Sequence, residues 1–321
     1  MVTQELLLVK ILKLVLTFIP EIRLPKRRGR PYVYSPAVLL CCFLVMIVKH
    51  ESVRGLYAFL TNREDLQALM IRDIIPFPDH SIPTRRTFDR RLKSWSYSAQ
   101  VYMLAITSVL THKFRVGIAR LSLDNRMFAA VGGIWHATDM KRNHIPDKAR
   151  NIDISAGWGY SHYRGWVFGH ALEVFVTTGK LVVPLLAIGH SLKEKGNTVV
   201  KRIAYLLPPV NQGVVAADSE YFDQKLDTAL RATGRRLHAP SKRQPTLIPM
   251  SKTYDKRKKT VEPFFERFLL AFVVRGKLDR HGTAAHGYLV TCCVLYQLMV
   301  LYNLITKHHA PIEVTHLIRM L

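Results

Sequence analysis

Two acidic residues are placed where their carboxylates could meet at one site. Asp124 follows the apolar segment 121–123, and Asp218 follows the apolar segment 214–217. Both segments are predicted to form short buried strands. Ligand sites in α/β sheets gather at the carboxyl ends of strands. The two aspartates are therefore candidates for a shared site, although each could instead simply open a turn.

A third acid, Glu262, is predicted in the first turn of a helix, because Thr260 is a candidate N-cap and Pro263 suits an early helical position. Three carboxylates at close range repel and stay ionised together only when cations lie between them. Their oxygens suit Mg²⁺ or Mn²⁺. Two such ions, about 3.5–4 Å apart, activate a nucleophilic oxygen and stabilise a leaving oxygen in phosphodiester chemistry. The alternative for Glu262 is a favourable interaction with the helix dipole.

The composition is typical of a globular protein, and its net charge indicates a polyanionic partner. The chain has 321 residues, of which 49% are hydrophobic and 22% are charged, which excludes a disordered or low-complexity protein. Forty-seven Lys and Arg against 23 Asp and Glu give a net charge of +24. Such an excess favours DNA or RNA as the partner, with an anionic membrane surface as the second choice.

The cysteines and the long apolar segments indicate where in the cell the protein is expected. The four cysteines form adjacent pairs within apolar runs, without the CxxC spacing of a zinc site. We expect free structural thiols and a cytoplasmic, nucleoid-associated protein. The apolar segment 288–305 is just long enough to cross a membrane. Because it contains Gln297 and Asn303, a buried core helix is the preferred interpretation, and no membrane partner is expected.

The elements that must position the acids change in character near residue 115. Residues 1–115 are predicted to form a helical N-terminal region that binds DNA. Residues 116–321 are predicted to form the catalytic domain, an α/β mixed sheet flanked by helices and followed by C-terminal helices. Its first strands are predicted at 121–123 and 128–136, and the basic segment 242–259 is predicted to be a loop.

Four segments resemble DDE-class insertion-sequence transposases, of the kind grouped around insertion sequences four and five. They are the N-terminal segments 28–36 and 83–88, the first-acid strand 121–124, the second-acid segment 215–223 and the Tyr/Arg/Glu segment 254–265. The resemblance implies a ribonuclease-H-like fold with Asp124, Asp218 and Glu262 as catalytic ligands of two Mg²⁺ ions, for which Mn²⁺ can substitute. Glu266, four residues after Glu262 on the same helical face, is a rival third ligand.

Basic residues supply candidate DNA contacts. Tyr254, Arg257 and Lys258 lead into the catalytic helix and could clamp phosphates, or could form a solvated basic segment. Arg28 and Arg30 match the core of an AT-hook, with a plain linker as the alternative. A further pair, Arg86 and Arg90, aligns on one helical face, as a helix-turn-helix recognition element or as a generic phosphate contact.

Aromatic residues border the polar loop that is predicted at 141–161. Trp158, Tyr160 and Trp166 could stack on flipped bases, but packing in the core is the preferred interpretation.

The expected function is DNA transposition, with double-stranded DNA as the partner and a homodimer that holds two transposon ends. The alternatives are a metal-dependent nuclease without strand transfer, a decayed or domesticated non-enzymatic DNA-binding protein, and a small membrane protein anchored by the segment 288–305.

Overall fold

A computed structural model gives the fold. It describes residues 4–19, 33–145, 151–161, 164–241, 252–272, 277–278, 280, 282–307 and 314. The predicted DNA contacts Arg28 and Arg30 lie outside these residues.

In the described part of the chain, six α-helices precede the first strand. They are α1 (Gln4–Phe18), α2 (Pro36–Val48), α3 (Val53–Thr61), α4 (Leu66–Ile74), α5 (Arg85–Lys93) and α6 (Ser96–Phe114). Their starts follow from capping: Ser35 Oγ accepts a hydrogen bond from the Val38 backbone N–H at 3.3 Å, and Pro36 takes the first helical position. The predicted helical character of this region is confirmed.

The described strands form one mixed sheet flanked by helices, as predicted. They are β1 (Arg120–Ala130), β2 (Gly157–Ser161), β3 (Gly165–Thr177), β4 (Pro184–Ser191), β5 (Gly213–Ala217), β6 (Arg235–His238) and β7 (Lys277–Leu278). Strand β1 is antiparallel to β3 on one side and parallel to β5 and β7 on the other. Strand β6 continues beyond β5, while β2 and β4 both pair with the outer edge of β3.

The remaining helices connect and cover this sheet. They are the short α7 (Ala137–Lys141) and α8 (Gly196–Lys201), then α9 (Gln224–Arg231), α10 (Lys252–Phe272) and α11 (Thr283–Thr306).

The prediction of two strands at 121–123 and 128–136 is wrong, because β1 is continuous from Arg120 to Ala130. Asp124 therefore lies inside a strand. Strand β3 pairs with β1 as far as Ala129 and holds the polar middle of β1 in extended conformation. On the other side, β5 pairs with β1 only as far as Leu123, so this edge opens at Asp124.

Helix α10 also begins earlier than predicted. Lys and Arg are good helix formers, and the basic segment that was predicted to be a loop is helical from Lys252 onwards. Thr260 is therefore not an N-cap: its Oγ donates to the backbone carbonyls of Lys256 and Arg257 one turn earlier. Glu262 and Pro263 lie in the helix interior, and the helix packs against β1 and β5.

Helix α11 is the core helix that the sequence predicts. It is long and apolar enough to cross a membrane by length and composition alone, yet 83% of its most apolar stretch is buried within the protein. Its Gln297 donates to Thr107 Oγ of α6 and to the Pro184 carbonyl of β4. All four cysteines are buried and free, as predicted. A continuous apolar core joins the N-terminal helices to the sheet, while the division into two domains near residue 115 stays a prediction.

Candidate active site

A strand register brings the first two acids together. The last pair between the parallel strands β1 and β5 is Leu123 with Ala217. Asp124 and Asp218 are the next residue on each chain segment, so they emerge side by side where the pairing ends. Asp218 then caps a 3₁₀ turn, Ser219–Tyr221, with its Oδ1 accepting from the Ser219 backbone N–H at 2.6 Å.

One buried arginine of α10 contacts both aspartates. Arg257 Nη1 donates to Asp124 Oδ2 at 2.8 Å, and its Nη2 lies 3.7 Å from Asp218 Oδ2. A charge-assisted pair of this kind is a strong and directional contact. Arg257 thus connects the third element of the site, α10, to the two strand ends.

The site is an open cleft of about 620 Å³. It brings together the three predicted acids Asp124, Asp218 and Glu262. Two further carboxylates line it, those of Glu220 and Glu266, together with the guanidinium groups of Arg126, Arg164 and Arg257. Because Glu262 and Glu266 both face the cleft, the choice of third ligand stays open.

Two carboxyl groups of the cleft, those of Asp124 and Glu220, have raised pKa values. Burial raises the pKa of Asp124 to about 6, against the opposing effect of Arg257. Burial, together with the charges of Glu173 and Asp124, raises the pKa of Glu220 to about 7. Asn125 Nδ2 donates to Glu220 Oε1 at 2.6 Å and connects this acid to β1.

These donors suit a divalent cation in chemical type. They are hard carboxylate oxygens, the ligand type that Mg²⁺ and Mn²⁺ prefer in proteins. In the described part of the chain, however, no group of three or more metal-ligating side chains is already arranged around one point. A metal would therefore have to draw the carboxylates together, and Asp124 would exchange its contact with Arg257.

A buried polar layer below the cleft was missed by sequence reasoning. The Tyr221 hydroxyl donates to Glu173 Oε2, and Glu173 Oε1 lies 2.9 Å from His190 Nε2. Burial alone would lower the pKa of His190, but Glu173 raises it. Glu173 stands in the middle of the apolar strand β3, and a lone acid in such a strand is the signal that could have identified it.

The predicted DNA contacts are distributed over several places. Arg257 lines the cleft, whereas Arg86 and Arg90 are exposed on α5 and do not line it. Tyr254 and Lys258 belong to α10, but their side chains lie outside the described part of the chain. Their predicted roles in DNA binding stay predictions.

The aromatic residues near the polar loop divide into two groups. Trp158 packs on Phe168 with ring centroids 5.5 Å apart, as the core interpretation predicts. For Tyr160 and Trp166 that interpretation is wrong, because the two side chains are 54% and 69% exposed. Tyr160 lies at the rim of the cleft.

No protein-family model matches the chain, and no curated protein sequence matches it. Among solved structures, a piggyBac transposase synaptic complex with hairpin DNA is weakly similar, with a TM-score of 0.43 and 9% identity over 98% of this chain and 78% of that chain. This level of similarity does not assign a family. The resemblance to the transposases grouped around insertion sequences four and five stays a prediction.

Proposed function

We propose that this chain is a DDE-class DNA transposase that cleaves phosphodiester bonds at transposon ends and joins them to target DNA. The observation that carries the proposal is the meeting of Asp124, Asp218 and Glu262, from β1, the end of β5 and α10, at one cleft. Carboxylates that converge on an open, arginine-lined cleft suit metal-assisted chemistry on a phosphodiester.

The sheet supports a ribonuclease-H-like core as part of this proposal. Strands β1, β3 and β4 form an antiparallel arrangement, and β5 and β6 add to the other side of β1 in parallel. The proposed catalytic acids stand on the central strand and on its parallel neighbour, where ligand sites of α/β sheets occur.

In the proposed mechanism, Asp124, Asp218 and Glu262 would hold two Mg²⁺ ions, or Mn²⁺ in their place. Such ions, when bound, activate the attacking oxygen and stabilise the leaving oxygen. The chain's own groups orient the reactants: Arg257 neutralises charge beside the aspartates, and Arg126 and Arg164 face the same cleft as phosphate contacts.

Strand transfer and dimerisation complete the proposal. Water attacks the phosphodiester at the transposon end and releases a 3′-hydroxyl. In the same cleft this hydroxyl then attacks a phosphodiester of target DNA, joins to its phosphorus and displaces the 3′-oxygen of the target strand. Two ends must be held together for this, so we propose a homodimer on double-stranded DNA. The net charge of +24 supports DNA as the partner.

The test is a DNA cleavage and joining assay. The purified protein is incubated with Mg²⁺ or Mn²⁺ and labelled duplexes that carry the sequences flanking its own reading frame. We expect nicked products with 3′-hydroxyl ends and joined products with a target plasmid, and we expect Asp218→Asn to abolish both. Glu194→Gln, at an exposed acid paired with Arg202, is the matched control and should retain activity.

The same assay separates the alternatives. Nicked products without joined products would indicate the metal-dependent nuclease. Binding without any cleavage, unchanged by Asp218→Asn, would indicate a non-enzymatic DNA-binding protein and would contradict the proposal.

A further inference from the structure

The β2–β3 hairpin carries an exposed pair of aromatic side chains at the rim of the cleft. Tyr160 and Trp166 are direct partners in the antiparallel register, so they share one face of the hairpin. Their ring centroids are 5.5 Å apart with the planes at 67°. Two adjacent rings in this arrangement offer both an edge and a flat face to a ligand.

The exposure of Tyr160 and Trp166 differs from that of the next aromatic pair along the same face of the hairpin. Trp158 and Phe168 are also register partners, but they pack into a small apolar cluster with Trp135. The outer pair lies beyond this cluster and keeps most of its surface in contact with solvent. Large exposed aromatic surface beside a polar cleft is typical of a binding site rather than of a fold requirement.

Two arginines line the cleft together with Tyr160. Arg164 follows the hairpin turn and is exposed, and Arg126 projects from β1; both line the cleft with Tyr160. The Arg126 Nε is buried and has no hydrogen-bond partner among the described residues. An anion bound between the two guanidinium groups would supply the acceptor that Arg126 Nε lacks among the described residues. A phosphate group offers this charge and the geometry for paired hydrogen bonds.

We propose that this part of the cleft is a binding subsite for an unpaired nucleotide of DNA. Its base stacks on Tyr160 and Trp166, and its phosphate pairs with Arg126 and Arg164. The inference rests on the proposed function and deepens it, since it assigns unpaired rather than fully duplex DNA to one wall of the cleft. Nothing in the catalytic proposal requires an aromatic platform at this place.

The positive charge around the aromatic pair favours a nucleic acid over a second copy of the chain as the ligand. The platform is flanked by two arginines, and the whole chain carries a net charge of +24. A second copy would bring the same positive charge to this surface, whereas a nucleotide brings a base to the rings and a phosphate to the arginines.

The experiment compares three DNA ligands in EDTA, so that no cleavage occurs. They are a blunt duplex, the same duplex with a short single-stranded overhang, and that overhang with abasic nucleotides. Stacking of one base supports about a 5- to 150-fold gain in affinity. We expect the wild type to prefer the normal overhang to the abasic one by this factor, and Trp166→Ala to lose the preference while binding the blunt duplex within about threefold.

Intrinsic fluorescence supplies an independent measurement. Trp95 and Trp135 are buried, so Trp166 is the most exposed of the four tryptophans and should dominate quenching by a stacked base. We expect the normal overhang to quench the wild type and not Trp166→Ala. Tyr205→Ala, at an exposed tyrosine that does not line the cleft, is the matched control and should behave as the wild type.

Equal affinity of the wild type for the normal and abasic overhangs would overturn the proposal. So would a change in oligomeric state of Trp166→Ala with unchanged DNA affinities, which would assign the platform to a contact between copies. Quenching by the overhang in a protein that never cleaves DNA would contradict the proposed function and leave the subsite standing. Cleavage without any preference for the overhang would contradict the subsite and leave the proposed function standing.

Discussion

Asp124 is the residue whose position explains most about the site. It lies on β1 directly after the last pair with β5, where its carboxylate meets Asp218 and the guanidinium of Arg257. Burial raises the pKa of this carboxyl although an arginine is bound to it. Under the proposed function, a cation bound by Asp124 would offset the unfavourable burial of this charge.

A first prediction concerns pH and stability. The raised pKa of Asp124, about 6, means that the folded protein binds this proton more tightly than the unfolded chain does. Its contribution to stability is therefore fully present below the unfolded value near 3.8 and is lost as the pH rises through about 6. We expect Asp124→Asn, measured by thermal unfolding in EDTA, to gain stability relative to the wild type between about pH 5 and about pH 8, by at most about 3 kcal/mol.

The sign of this difference is what matters. A variant that loses stability relative to the wild type over the same pH interval would show that the Arg257 contact outweighs the burial of Asp124. A variant whose unfolding follows the wild type at every pH would show that Asp124 does not titrate in this range.

A second prediction separates the two candidate third ligands. Both Glu262 and Glu266 face the cleft from α10. We expect Glu262→Gln to reduce metal-dependent cleavage by more than about 100-fold, since even residues behind metal ligands commonly cost 10- to 100-fold. Glu266→Gln is the matched variant one turn along the helix, and we expect about a 10-fold loss or less. The reverse order in the measured rate constants would assign the ligand to Glu266.

At the scale of elements, the structure separates what a local pattern can predict from what it cannot. The strands β3 and β5 and the helix α2 follow from alternation, apolar runs and capping residues that act within a few positions. Strand β1 does not, because its polar middle is extended only through pairing with β3. Helix α6 lies in the region that is predicted to be helical, but its bounds do not follow from a local pattern. Its buried side is mixed in character, and the side chains of Gln100 and Thr107 donate to carbonyls of β4.

The residues of the candidate site also divide into those that a local sequence pattern predicts and those that depend on contacts between distant parts of the chain. Asp218 could be predicted because it ends a short apolar run, and the structure places it after β5. Glu220 and Glu173 enter the site only through a turn and a strand pairing that connect distant parts of the chain. The cap assigned to Thr260 was wrong because the helix-forming basic residues before it continue the helix.

A third prediction tests how closely α11 approaches the sheet. A Cβ on Gly189 of β4 would lie 2.7 Å from His286 Cα, a backbone atom that cannot yield alone. We expect Gly189→Ala to lower the free energy of unfolding by about 1–3 kcal/mol, as overpacked cores do. Gly117→Ala, where nothing lies within 4 Å, is the control and should change stability little. Equal denaturation midpoints for both variants would contradict the close packing of α11 on β4.

At the scale of the whole molecule, the apolar core and the basic residues occupy different places. The apolar core runs from the N-terminal helices through α11 to the sheet. The chain carries a net charge of +24, and among the described residues Arg86 and Arg90 of α5 are exposed. This distribution agrees with the proposed function, because the basic residues attract phosphates and the carboxylates of the cleft attract cations.

A fourth prediction follows from this surface. If six to ten phosphates are neutralised, affinity for duplex DNA should fall by about 10³- to 10⁵-fold between about 50 mM and about 200 mM salt. We expect Arg86→Gln and Arg90→Gln each to reduce the slope of log affinity against log salt by about 1. Fluorescence anisotropy measures both slopes. A nearly salt-independent affinity would show that the basic surface does not follow the DNA backbone.

The most direct measurement of the central claim is anomalous diffraction from crystals of the full chain soaked with Mn²⁺. The proposed function predicts anomalous peaks between the carboxylates of Asp124, Asp218 and Glu262, with Arg257 displaced from Asp124, and no such peaks in Asp218→Asn crystals. An intact contact between Arg257 and Asp124, with no anomalous density among these carboxylates in the wild type, would contradict it.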